Sequence, residues 1–501
     1  MLALGALEPT AATGASGFDY TTSWGSLSPY KDAEGFNLPK GYPQGCELSQ
    51  VHILHRHAQR YPTSSPLDGI GMVNFAGKVA NYSKAHPNTA VGKGELGFLS
   101  TWAYMLSRDL LLTIGASTEA TAGATFWTNY GRLLYRSGPG VAGWNQSLNV
   151  YPNGTARPTP VFRTTSQARI LESARWWLSG FFGNTGANSS YDQYNLVIIP
   201  EIEPFNNTLA SYDSCPGDEN EGNKDVVTFV NKYTQAAIAR LGALLPSDFN
   251  LTASDILAMQ NLCAYEYAAL GASAFCSLFT EQEWEDFEYH IDLQFYGDYG
   301  FGSPAGRAQG IGYVLELAAR LNAQLITSSD TSINYTYDNN VAQFPLHQPF
   351  YMDMTHDDII VSVLTALGLD YFKYGPNGLP GTVDHAPKRS FDLNHIAPFG
   401  ARLYTEVWTC PNSVSLDNLA PVIYQNPNVS STSNSTSYIR FVLNGAPLPM
   451  DGLLGCENSA NGFCPVRNFT SGIPSLKGDA MYQYTCFGNV TTGHQVGDGH
   501  P

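Results

Sequence analysis

Short apolar runs alternate along this chain with longer segments whose apolar residues recur every third or fourth position, which predicts strands interleaved with amphipathic helices. The run "CELSQVHILHR" (46–56) is partly β-branched and lies between the turn-forming "YPQG" and "RYPTSSP", so it reads as a strand. Further on, "PVFRTTSQARILESARWWLSGFFG" gives a short strand, a polar turn and an amphipathic helix carrying Ile170, Leu171, Ala174, Trp177 and Leu178. "YNLVIIPE" (194–201) reads as another buried strand. In "YMDMTHDDIIVSVLTALGL" (351–369) a polar turn opens a helix with Ile359, Ile360, Val363, Leu364 and Leu367 on one side. "APFGARLYTEVWTC" and "SYIRFVLNGAPLPM" alternate like strands of a sheet edge.

Between these strands the pattern is helical. Residues 63–155 include "GELGFLSTWAYMLSRDLLLTIG" and "TEATAGATFWTNYGRLLYR", and a second helical block fills 225–325. The first forty or so residues read as an extended arm over a core, "NPNVSSTSNSTS" as a loop, and the tail "TTGHQVGDGHP" as loose chain. A chain of 501 residues can bury a large core, in two domains or one enlarged α/β domain.

Charge narrows the function classes. Lysine and arginine number 26 against 43 acidic residues, a formal charge of −17, which disfavours nucleic acid and anionic membranes as partners. No apolar run reaches the length of a membrane span. Eight cysteines without a C-x-x-C pair weaken zinc-ribbon and thioredoxin readings. N-x-S/T sequons begin at Asn81, Asn145, Asn153, Asn188, Asn206, Asn250, Asn334, Asn428, Asn434, Asn468 and Asn489. Together with the even cysteine count they predict a secreted glycoprotein with disulfides. The opening "MLALGALEPTAATG" lacks a basic n-region and a long h-region, so the expectation is that a signal peptide has been removed.

Against this acidic background, "VHILHRHAQRYP" (51–62) places Arg56 and Arg60 on either side of His57 where a strand ends. Strand ends are where open α/β sheets carry their chemistry. One reading is a metal site built from His55 and His57 with Asp353, His356, Asp357 and Asp358. Two arginines would then repel the cation at close range. Guanidinium forks suit phosphate instead, leaving the His57 imidazole free as a nucleophile. "THDD" at a helix start would add a second anion-binding element. There His356 could donate to a phosphate oxygen and Asp357 could protonate a departing alkoxide. Read on its own, the same turn is a helix cap made by Thr355 and Asp358. "GPGVAG" (138–143) matches G-x-G-x-x-G, but no strand precedes it, and it reads as a surface loop. Trp176 and Trp177 read as helix packing.

These residues resemble the histidine acid phosphatases. "RHAQRYP" is similar to their R-H-G-x-R-x-P motif and the "HD" of "MTHDDII" to their second one. The closer resemblance is to the secreted fungal branch that includes phytases. "SWGSLSPY", "VFRTTSQARILESARWW", "VIIPE" followed by "NNTL", "APFGARLYTEVW" and "VLNGAPLPMDG" stand in the expected order. The resemblance implies a phosphoglycerate-mutase-like α/β domain (1–62, 155–205 and 320–501). A smaller, mostly α-helical domain (63–154 and 206–319) would cover the active site. It also implies His57 as the phosphorylated nucleophile, Asp357 as proton donor, and Arg56, Arg60, Arg163 and His356 as substrate ligands, with no metal and no cofactor. The disulfides it implies are Cys46–Cys410, Cys215–Cys486, Cys263–Cys276 and Cys456–Cys464.

Three departures from the family pattern stand out. Ala58 replaces the usual glycine, Asp358 stands where asparagine is common, and residues 63–77 carry no lysine or arginine. The expected activity is hydrolysis of phosphate monoesters such as myo-inositol hexakisphosphate. The alternatives are a broad acid phosphatase with little phytate preference and, from another class, a non-catalytic glycoprotein that binds phosphate esters. Expected partners are small phosphate esters and N-linked glycans.

Overall fold

The computed structural model describes residues 17–64, 66–183, 190–217, 222–429, 434–457, 459–488, 490 and 494–501. The sequons at Asn188 and Asn489 lie outside the described residues. The central sheet is built from β1 (Glu47–Arg56), β2 (Val161–Thr165), β3 (Asn195–Ile199), β4 (Phe350–Thr355), β5 (Arg402–Pro411), β6 (Ser435–Leu443) and β7 (Cys464–Pro465). Their spatial order is β7-β6-β5-β1-β4-β2-β3, and Ala446–Pro447 adds to β6 as an eighth short strand. β1, β4, β2 and β3 run parallel, while β5, β6 and β7 are joined antiparallel.

The principal helices are α1 (Gly71–Ala85), α2 (Thr113–Phe126), α3 (Ala168–Phe182), α4 (Gly222–Tyr233), α5 (Ala253–Leu270), α6 (Glu281–Asp298), α7 (Gly306–Leu321), α8 (Asp357–Ala366) and α9 (Val466–Ala480). Successive side chains of β1 point to opposite sides, so Ile53 joins the core under α2 and α3, and Leu54 joins the core under α7 and α8. On the first side the rings of Phe126 and Phe181 lie 4.9 and 4.8 Å from Phe350. α1, α4, α5 and α6 pack on one another beside the sheet. α5 and α6 open with full capping boxes, Thr252 with Asp255 and Thr280 with Glu283, and α5 ends at Gly271 in the left-handed region.

Several elements depart from the sequence reading. β3 is the edge of the sheet and half-exposed, with Ile198 facing outward, whereas β5 and β6 are interior. An apolar run marks a strand but not its neighbours, and pairing decides burial. Residues 94–112 form a 3-10 turn at Gly94–Ser100 and then irregular chain. α2 and α7, both inside the expected helical segments, cover the two faces of the sheet. Trp177 is core, but Trp176 is exposed.

The described part of the tail, 494–501, is docked, and 491–493 lie outside the described residues. Gln495 is buried and bridges Asp225 and Leu379, and Arg307 N donates to Gly499 O at 2.9 Å. At the other end, Arg402 lies 3.7 Å over the Tyr30 ring, and Trp24 packs edge-on against Tyr267, which ties the arm to β5 and to α5. Disulfides join Cys46 to Cys410, Cys215 to Cys486, Cys263 to Cys276 and Cys456 to Cys464, the pairing implied by the resemblance.

Candidate active site

Parallel pairing of β1 with β4 sets Arg56 beside Thr355, and His57 N donates to Thr355 O at 3.0 Å. That register brings two segments three hundred residues apart into one cleft. The rings of His57 and His356 are 6.0 Å apart and nearly perpendicular. β2 and β3 end at the same side of the sheet, so the chain just beyond them delivers Arg169, in the first turn of α3, and Glu201.

His57 is buried, and its Nδ1–H donates to Ala58 O at 2.9 Å, which leaves Nε2 with a free lone pair. Burial holds its pKa well below the usual histidine value, and Arg56, Arg169, Arg60 and His356 push in the same direction. Burial and the surrounding positive groups thus favour the neutral imidazole. Ala58 is not among the residues with positive φ, so its methyl is accommodated without backbone strain.

Arg56 is fully buried. Its Nη1 donates to Ala397 O at 2.6 Å and to Ser26 O, its Nη2 lies 2.8 Å from Asp357 Oδ2, and its head stacks 4.5 Å over Phe399. Burial brings it down to about 10, so it stays charged. Arg60 donates to Tyr61 O, Asp68 and the Tyr265 hydroxyl. Burial opposes its charge, but Tyr265, Asp68 and Asp357 outweigh that and raise its pKa. The Nε atoms of Arg56, Arg60 and Arg169 are all buried with no hydrogen-bond partner among the described residues. Three such donors around one neutral histidine fit an anion and no cation.

Asp357 begins α8, and His356 is its N-cap residue. Burial would raise the Asp357 carboxyl, yet Arg56, Arg60 and His356 together hold it below the usual carboxylate range. Asp358, buried behind it, is pushed up to about 7 by burial, with Asp357 and Glu201 reinforcing and His356 opposing. His356 Nε2 meets both oxygens of Glu201 and the Tyr212 hydroxyl, each at 3.1 Å.

The expectation for Arg163 is corrected by the structure. It sits inside β2, fully buried, and its guanidinium is taken up by Asp353 at 2.7 Å, Asp338 at 3.4 Å and Glu316. Arg169, six residues on, stands near His57 instead. The missed signal was position: "VFRTT" fills the strand, and the cation facing the crevice must come after its end. Glu201 and Tyr212 were also missed, although "IIPE" places the acid just beyond a strand. The metal reading loses its ligand set as well, because Asp353 pairs with Arg163 and Arg320 and His55 pairs with the buried Glu119 at 2.8 Å.

Comparison with known proteins bears on the fold and the family. Phytase A of Emericella nidulans is 29% identical over 476 residues, covering 93% of this chain and 90% of that protein. A Phytase A of Aspergillus terreus is 30% identical over 400 residues, 77% and 79% of the two chains. Among solved structures, the phytase from D. castellii superposes with a TM-score of 0.70 at 22% identity, covering 98% of this chain and 93% of that one. The Bifidobacterium longum multiple inositol polyphosphate phosphatase, in complex with inositol hexasulfate, gives 0.55 at 12% identity over 90% and 97%. The family model for the histidine phosphatase superfamily (branch 2) matches residues 47–444, and this chain belongs to that superfamily.

Proposed function

We propose that the protein is a phosphomonoesterase of the phytase type that works through a phosphohistidine on His57. The neutral His57, ringed by three arginines with unpartnered buried donors, carries this reading. A substrate phosphoryl group held by Arg56, Arg60, Arg169 and His356 presents its phosphorus to His57 Nε2. The N–P bond forms as the bond from phosphorus to the alcohol oxygen breaks, and Asp357 gives its proton to that oxygen. Water then attacks the phosphohistidine. Asp357 takes a proton from the water, the N–P bond breaks, and inorganic phosphate leaves. The first step leaves the His57 ring as a phosphoimidazolium and Asp357 as a carboxylate, while the arginines neutralise the equatorial oxygens throughout.

The resting ion pair of Asp357 with Arg56 is part of the device. A bound dianion competes for the Arg56 and Arg60 charges, so Asp357 loses the groups that keep it ionised and takes up a proton more readily. Phytase A relatives and four disulfides support inositol phosphates as substrates and an extracellular, oxidising location. No helix among the described residues is long and apolar enough to cross a membrane. Asn81, Asn145, Asn153, Asn250, Asn428 and Asn434 are exposed, and Asn206, Asn334 and Asn468 half-buried, so we assign N-linked glycans first to the exposed group.

Rapid acid or alkaline quench of a turnover mixture with labelled substrate tests the mechanism. Label on the native chain, absent from His57→Ala, is the expected result. Steady turnover without trapped label would point to direct attack by water, and neither turnover nor label to the binding glycoprotein.

A further inference from the structure

At the end of the sheet away from His57, a cavity of about 380 Å³ lies at the starts of β2 and β4, where Val161 and Phe350 enter the sheet. That volume is in the range of sites that enclose a small organic ligand. Pro160, Pro345, Leu346, Pro349 and Phe350 give it an apolar wall. Gln348 fixes that wall by bonding both the N–H and the carbonyl of Val161. No carboxylate and no lysine lines the space among the described residues.

Two donors in the lining are unspent. The Tyr135 side chain is 8% exposed, and its hydroxyl has no acceptor among the described residues. The indole of Trp144 beside it can only donate, so it cannot take the hydroxyl proton. A hydroxyl buried without an acceptor is costly, which points to an acceptor supplied from outside the chain. Arg157 is the second donor. Its Nε donates to Val150 O at 3.1 Å and its Nη1 to His347 O at 2.8 Å, and its head lies 4.5 Å over the Tyr151 ring. These contacts fix the half-buried guanidinium and leave Nη2 without a protein partner. The charged or ionisable groups that act on it are Tyr135, Tyr151 and Tyr351, with no carboxylate among them. Arginine without an acidic partner stands out in a chain with 43 acidic residues against 26 basic ones.

We propose that this pocket binds a small apolar carboxylate. Its ring or chain packs against the prolines and Phe350, and its two oxygens accept from the Tyr135 hydroxyl and the Arg157 guanidinium. The site lies apart from the catalytic cleft and does not rest on the phosphomonoesterase reading.

The test is equilibrium dialysis of 2-naphthoate against the full chain in mildly acidic buffer containing inorganic phosphate, which occupies the catalytic arginines. Single-site binding with a Kd of about 100 μM is expected. The neutral 2-naphthylmethanol should bind about tenfold more weakly. No binding of the acid, or equal affinity for acid and alcohol, overturns the proposal. So does displacement on raising the phosphate at constant ionic strength, which would place the acid in the catalytic cleft. Tyr135→Phe keeps the ring and should weaken 2-naphthoate about fivefold without lowering the melting temperature, because no internal bond is lost. Unchanged affinity with a lowered melting temperature would show that the hydroxyl serves the fold and not a ligand. Arg157→Gln should weaken the acid about tenfold and leave the alcohol unaffected. If that variant does not fold, Tyr135→Phe and the acid–alcohol comparison decide the matter.

Discussion

His356 Nε2 lies 3.1 Å from both carboxylate oxygens of Glu201, and Glu201 is held at about 2. Burial pushes that carboxyl up, but the His356 charge and hydrogen bonds from His356 and Tyr212 overcome it. A carboxylate fixed on Nε2 sets the ring orientation and leaves Nδ1 for the incoming phosphoryl oxygen. Glu201→Gln keeps a hydrogen-bonding side chain and removes the charge. We expect kcat to fall by about 10²-fold, the usual cost of spoiling one transition-state donor. KM should change little, and the melting temperature should stay near that of the parent. A loss of activity that merely tracks unfolding would refute the role.

The two arginines of "VFRTTSQAR" should separate cleanly. Arg169→Ala is expected to lower kcat/KM by about 10²-fold or more without unfolding the protein, because its buried Nε waits on the anion side. Arg163→Ala strips the charge partner from Asp353 and Glu316 and a hydrogen-bond donor from Asp338, and should destabilise the fold by about 3–5 kcal/mol. Denaturant melts and steady-state kinetics on both variants read the two effects. Intact stability in Arg163→Ala would show that the cluster contributes nothing to the fold.

These two residues also mark how far the sequence could be read. The "RHAQR" and "HD" elements were legible because few cations occur in the chain and because each sits at a strand or helix boundary that periodicity reveals. What periodicity does not reveal is the sheet order. Only the pairing of β1 with β4 brings His57 to His356, and only the pairing of β2 with β4 buries Arg163 against Asp353. Glu201 could be seen as a strand-end acid, but not as the partner of His356. The docked tail was illegible for a related reason, since "GHQVGDGHP" is polar and glycine-rich and is held by Gln495 and backbone bonds rather than by apolar side chains.

Asp357→Asn should slow esters of poorly leaving alcohols far more than aryl esters, whose oxygen departs without a proton. A plot of log kcat against leaving-group pKa is expected to steepen in the variant. Parallel lines for the parent and the variant would remove Asp357 as donor.

Asp358 gives a pH signature. With its carboxyl pushed up to about 7, it is neutral in acid and becomes a buried anion beside Asp357 as the solution turns neutral. That new charge repels the substrate dianion and favours loss of activity. Asp358→Asn is the neutral form at every pH. The basic limb of the kcat/KM profile should therefore move upward in pH, with little change in mildly acidic solution. A limb that stays in place assigns it wholly to Asp357 and the substrate.

Two buried carboxyls make stability fall as pH rises out of the acid range. Asp338 is pushed up to about 9, first by burial and then by Glu316, and Asp292 to about 7 by burial with Asp392 reinforcing. Unfolded, both carboxyls would titrate at about 3.9. Raised folded values mean that their stabilising contribution is complete below about pH 4 and is lost as pH rises toward those folded values. Glu201 and Asp392, both held at about 2, act oppositely: their contribution is present above the unfolded value and is lost as pH falls toward 2. His52, His57 and His290, all pulled below the usual histidine value by burial, add to that acid-side loss, because the unfolded chain binds their protons as pH falls. An amide matches the protonated Asp338 carboxyl in shape and stays uncharged at every pH. Asp338→Asn should therefore keep the acid-side melting temperature and flatten its decline toward pH about 8, because no proton remains to be lost there. Calorimetric scans across pH check this, and an unchanged alkaline slope would assign the decline to other groups.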